Sequence, residues 1–110
     1  MKSLIEINIS KQFSREPAGR FPTDGPFCGE IFRKEFLIPA LAQGERVVVI
    51  LDGTEGYGSS FLDESFGGLV RNEGFNSEEL HRRITIVSQE DESLSEEVWD
   101  YVDTAKPRAK

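Results

Sequence analysis

The sequence predicts a single α/β domain, and three observations carry that expectation. Leu4 to Ser10 nearly alternates apolar and polar residues, Arg46 to Asp52 (RVVVILD) is an unbroken β-branched run, and apolar residues between and after them recur at helical spacing. A chain of 110 residues suffices for one modest core, with a mixed sheet of about four strands and three to four covering helices. One unit over residues 1–110 is therefore expected, with residues 1–10 carrying the first strand and 105–110 forming a flexible tail.

The first strand follows from Leu4, Ile5, Ile7 and Ile9 set against Glu6, Asn8 and Ser10, which leaves one face to be buried. From Phe13 to Pro26 the chain holds Pro17, Gly19, Pro22, Gly25 and Pro26, a density of breakers that allows only a loop, with a short strand near Arg20 and Phe21. A helix is expected from about Phe27 to about Leu41, since Ile31, Glu35, Ile38 and Leu41 recur at its period and Phe27, Phe32 and Phe36 widen the stripe. Pro39 lacks the amide that would bond back to Glu35, so a kink or break belongs there. Gln43 and Gly44 end the element.

The run RVVVILD is apolar toward both faces, the pattern of a central strand covered by helices on its two sides. The loop GTEGYGSS then leads into Phe61, Leu62, Phe66, Leu69 and Val70, one face of a helix reaching about Asn72. Ser60 is placed as its N-cap, with Asp63 and Glu64 in the first turn. Gly67 and Gly68 each cost about 1 kcal/mol in a helix against Ala, so something must approach closely there, a neighbouring strand or a partner. Asn76 caps a turn over Ser77 to His81, Arg83 to Ser88 reads as another strand, and Ser93 or Ser95 opens a last helix that Pro107 stops.

Charge narrows the function classes. A net charge of -7 opposes binding to a nucleic-acid backbone, so a basic or neutral protein is the expected partner class. Between Ile84 and Ala105 there are seven acidic residues and no Lys or Arg, either a solvated surface or an electrostatic docking face. The longest apolar run, Val47 to Leu51, is too short to span a bilayer and the start MKSLIEINIS lacks the features of a secretion signal, so a cytoplasmic protein is expected. A single Cys28 and a single His81 assemble neither a disulfide nor a usual zinc site, and no metal or cofactor is expected.

Four constellations in the sequence bear on chemistry. LDGT at Leu51 to Thr54 partly matches the Asp-x-Asp-Gly-Thr of a phosphatase, but Ile50 stands where the nucleophilic Asp is required, leaving Asp52 alone. The glycines of GTEGYGSS, Gly53, Gly56 and Gly58, match neither the P-loop nor Gly-x-Gly-x-x-Gly, although a helix start there would favour an anion or a phosphoryl group on Ser59 or Ser60. Nothing in the sequence brings Cys28 and His81 together as a nucleophilic set, so a non-enzymatic chain is expected. Arg20 in its Pro/Gly-rich segment reads as a solvated charge or as a cation aimed at an acidic partner or phosphoryl group.

The segments VVVILDGTEGYGSSFLDESFGGLVR and GRFPTDGPFCGEIFR resemble a STAS-like family of small bacterial domains of unknown function, related in fold to the STAS anti-sigma factor antagonists. In those antagonists the loop after the central strand ends in Asp-Ser-Ser/Thr-Gly, and phosphorylation of its first serine by a kinase-like partner releases that partner. The resemblance implies that Ser59 and Ser60 occupy about that place; Gly58 stands where the antagonists carry Asp, and Phe61 follows. It implies a signalling module for protein-protein interaction, regulated with a kinase-like ATPase as partner and acting through the Ser59-Ser60 loop and the next helix. Arg20, Asp52, Tyr57, Gly58, Phe61, Asp63, Glu64, Gly67 and Gly68 are its candidate contact residues. The alternative is a receptor for a small phosphorylated ligand or nucleotide, built from the Gly-rich loop with Arg20 and Tyr57. Monomer and dimer both fit the sequence.

Overall fold

Three strands form one sheet in the computed structural model, which describes residues 3–107. β1 (Leu4–Asn8), β2 (Arg46–Ile50) and β3 (Ile84–Val87) lie in the order β1-β2-β3, and both pairs are parallel. The expected mixed sheet of about four strands is thus corrected to three parallel strands among the described residues. The strand anticipated near Arg20 and Phe21 does not form, because Asp24 accepts hydrogen bonds from the backbone amides of both residues and Pro22–Asp24 closes a 3-10 turn instead. Ile9 and Ser10, expected in the first strand, instead open a π turn (Ile9–Phe13); the last helix ends at Thr104, and of the tail expected over 105–110 residues 108–110 lie outside the described residues, as do residues 1 and 2.

Parallel neighbours need crossovers, and helices supply them. Helix α1 runs over residues 29–43 as an α turn (Gly29–Phe32), a π turn (Arg33–Leu37) and an α segment (Ile38–Gln43) without interruption. No break occurs at Pro39. The Ile38 amide reaches back five residues to the Arg33 carbonyl, and this widened turn admits the proline at the start of the next segment. Helix α2 spans residues 59–71 in the same manner, with a π turn at Asp63–Gly67 between Ser59–Leu62 and Gly68–Arg71. Helix α3 (Ser77–Arg83) is capped by the Asn76 side chain, which accepts from the Glu79 amide at 2.8 Å, and α4 (Ser93–Thr104) closes the chain against α2.

The register assigns each strand residue to a face. Ile5, Val47 and Ile84 align, as do Ile7, Val49 and Ile86, and all six pack in or against the core under the helices. On the opposite face Glu6, Val48 and Thr85 align, as do Asn8, Ile50 and Val87, and none of these belongs to the core. The expected two-sided cover of β2 is therefore corrected: β2 is central, but the helices cover one face among the described residues. A ring cluster fills the space between helices and sheet ends, with Phe13 at 5.2 to 6.2 Å from Phe27, Phe32, Phe36 and Phe61.

Candidate functional site

The loop between β2 and α2 is tied down at both ends. Asp52 accepts from the Gln89 and Glu90 amides at 3.1 and 2.8 Å, and the Gly53 amide donates to Glu90 Oε1 at 3.0 Å. Gly53 turns at φ +94, a conformation side chains disfavour. The Glu55 amide donates to the Arg15 carbonyl and the Gly56 amide to Thr54 Oγ1. Tyr57 donates to the Leu51 carbonyl at 2.7 Å, and burial pushes its phenol up to about 12. The loop then releases its chain into α2, whose N-cap is Gly58 rather than Ser60, with no side-chain cap bond. Ser59 and Ser60 are the first two helical residues and both are exposed.

Because α2 begins at Ser59, Asp63 and Glu64 stand two positions further into the helix than expected, and there they meet arginines. The Pro/Gly loop folds back on the start of α1, with Ala18 bonded to Phe27 and Gly29 to Gly19, and this aims Arg20 at α2. Asp24 is held below the usual carboxylate range by the amides of Phe21 and Arg20. Arg20 Nη1 lies 2.9 Å from Asp63 Oδ2 and 3.2 Å from Glu64 Oε1, and the bond to Asp63 leads in raising its pKa further. Arg71 holds the other Asp63 oxygen at 2.9 Å.

Beneath them Arg33 is 2% exposed. Its Nη1 donates to Glu64 Oε2 at 2.9 Å and to the Glu64 carbonyl, and its Nε donates to Glu73 Oε2 at 2.9 Å. A buried ion pair is tolerable only when its remaining hydrogen-bonding capacity is met, and Glu64 receives from Arg20, Arg33 and, at 3.5 Å, Asn72. Glycines make the room: a Cβ on Gly29 would stand 2.7 Å from the Phe61 carbonyl, and one on Gly68 would overlap the Arg33 guanidinium. A cavity of about 530 Å³ opens beside this network, lined by Arg20, Arg33, Lys34, Arg71, Glu64 and Glu73 among others.

The sequence candidates thus divide. Gly58, Ser59 and Ser60 form the exposed junction, and Arg20, Asp63 and Glu64 join the ion network below it. Asp52 and Tyr57 hold the loop in place. Phe61, Gly67 and Gly68, expected at a partner surface, are buried by the chain itself, since Arg33 packs on Gly68 while Asp63, Arg71 and the Tyr101 carbonyl surround Gly67. Arg20 and the Gly-rich loop line different cavities, the second being about 210 Å³ at the ends of β2 and β3 with Asp52, Glu55, Glu90 and Asp91 around it. Cys28 is buried, whereas His81 is exposed, stacks on Trp99 and lies 2.8 Å from Asp103. Arg33, Arg71 and Glu73 went unrecognised. The available signal was spacing: Gly29, Arg33, Leu37 and Leu41 make a four-residue period that sets a cation inside a buried stripe.

The family comparison fits this architecture. The chain belongs to the family described as STAS-like domain of unknown function (DUF4325), whose model matches residues 28–94. That match includes Arg33, the serine junction and the whole of α2, and it begins after β1 and Arg20. No curated protein and no solved structure matches the chain.

Proposed function

We propose that this STAS-like chain is a non-enzymatic regulatory module that binds a protein partner through the Gly58-Ser60 junction and the adjoining Arg20, with a kinase-like ATPase as the partner class. The observation that supports it most is the contrast within α2. Ser59 and Ser60 are exposed, while from Phe61 to Val70 every residue but Asp63 is buried. A partner or a modifying enzyme therefore has access to the start of this helix and little access to its remainder.

The chemistry of a modified serine follows from its surroundings. A phosphoryl group on Ser60 would sit at a helix start, where the dipole favours negative charge, and one turn before Glu64. Arg20, bonded to Glu64 one turn beyond Ser60 and with its side chain 32% exposed, could exchange a carboxylate for the phosphoryl group. Phosphorylation would thus alter both the charge and the shape of the junction, which is what a partner switch requires.

The alternative, a receptor for a phosphorylated ligand or nucleotide at the Gly-rich loop, finds less support. The amides of Gly53, Glu55 and Gly56 already have acceptors in the chain, and carboxylates surround that cavity. A pull-down from the native host with wild type, Ser60→Ala and Ser60→Asp as baits tests the leading reading. One kinase-like ATPase recovered by wild type and Ala but not by Asp is the expected result; equal recovery by all three, or none, would sink it.

A further inference from the structure

Four cations and three carboxylates line the 530 Å³ cavity between α1, α2 and the Arg20 loop, in a chain whose net charge is -7. Asp63, which bonds both Arg20 and Arg71, balances the fourth cation, so the case for an anion rests on which donors remain unspent rather than on net charge. Its volume lies within the range of small-molecule sites, about 300 to 1,000 Å³.

Counting donors and acceptors sharpens the chemistry. Arg33 engages its Nε and Nη1, but Nη2 has no hydrogen bond among the described residues. No fully buried side-chain nitrogen or oxygen among those residues lacks a partner, so Nη2 shares in the small exposed remainder of Arg33, and the residue lines the cavity. Arg20 bonds its carboxylates through Nη1 alone, which leaves Nε and Nη2. Lys34 stands at the rim with its side chain 60% exposed and only a 4.0 Å contact to Glu30. Both Glu64 oxygens, by contrast, are already occupied. Glu30 and the second oxygen of Glu73 keep acceptor capacity, but the free N–H groups of Arg33, Arg20 and Lys34 outnumber them, and planar guanidinium donors match a carboxylate or a phosphate. Phe21, 45% exposed, offers an apolar wall for the carbon part of a ligand.

We propose that this cavity is a binding site for the oxyanion group, carboxylate or phosphate, of a small metabolite, held by Arg33 Nη2, Arg20 and Lys34. The site is separate from the Gly-rich loop, and the proposal does not depend on the partner-binding reading. The test is a nitrogen-15 NMR titration that includes the arginine Nε-H signals, with inorganic phosphate in one arm, succinate in another and chloride at matched ionic strength as control. Saturable shifts at Arg33 Nε and at the Lys34 and Asn72 amides are expected with at least one oxyanion, and the arm that responds assigns phosphate or carboxylate. Lys34→Glu, an exposed change whose fold the same spectra verify, should weaken binding by about 5-fold or more. Shifts no different from those of chloride, saturable shifts confined to Gly53 to Ser60, or unchanged affinity in Lys34→Glu would overturn the proposal.

Discussion

The Arg33 guanidinium occupies the space that a side chain on Gly68 would need. Two helices approach at that point, and a charge sits buried between them because one helix has no side chain there. The neighbouring glycine has a different environment, since a Cβ on Gly67 would meet the ends of the Asp63 and Arg71 side chains at 2.6 and 2.9 Å. Those ends can move.

Gly68→Ala is therefore expected to destabilise the fold by about 3 kcal/mol, the scale of a disrupted buried ion pair. Gly67→Ala should change stability by less than about 1 kcal/mol, because the gain in helix propensity offsets a small displacement. Urea unfolding of the two variants checks this. Equal losses would mean that Arg33 has another place to go.

The one-sided sheet makes a second contrast. Val49 is buried under the helices, while Val48, its neighbour on the same strand, points to the uncovered face. Val49→Thr should cost about 2 kcal/mol by placing a hydroxyl in the core, and Val48→Thr less than about 1 kcal/mol. Similar costs, read from denaturation midpoints, would show that something covers the second face in solution.

The strands and helices were legible because periodicity reports burial, although the alternation from Leu4 ran on to Ser10 while the strand stops at Asn8 and Ile9–Phe13 turns into a π turn. RVVVI misled as to cover, since a β-branched run reports strand propensity as well as two-sided burial. Pro39 misled for another reason: a π turn absorbs the missing amide, and nothing in residue type announces that turn. Of the site, the serine junction was readable from its loop composition. The pairing of Arg20 and Arg33 with Glu64 was not, because it joins residues 44 and 31 positions apart, and only tertiary structure sets such contacts.

Cys28 supplies a probe of local opening. It is the only cysteine, it is fully buried, and it precedes α1 at the N-cap position. Its thiol should resist an aromatic disulfide reagent in the native protein and react at once in denaturant. Native reaction within seconds would show that the Pro/Gly loop opens readily and exposes the start of α1.

The two tyrosines give the fold a dependence on alkaline pH. The Tyr57 phenol is raised from 10.0 to about 12, first by burial, and that of Tyr101 to about 12, first by its bond to Glu97. In the unfolded chain both revert to about 10. Between those values the folded state keeps protons that the unfolded state has lost, so stability slopes downward with pH. This contribution is complete below pH 10 and disappears as pH rises through about 12. Ultraviolet titration of the phenolate band should therefore show a rise displaced above pH 10 in the native protein, most of all for Tyr57, and a normal rise in urea. Tyr101 lies nearer to solvent and its shift is more strongly screened, so Tyr57→Phe should remove the later part of the native curve and flatten the loss of stability. A native phenolate midpoint of 10 for both residues would contradict the burial of Tyr57, and with it the packing of the loop that presents Ser59 and Ser60.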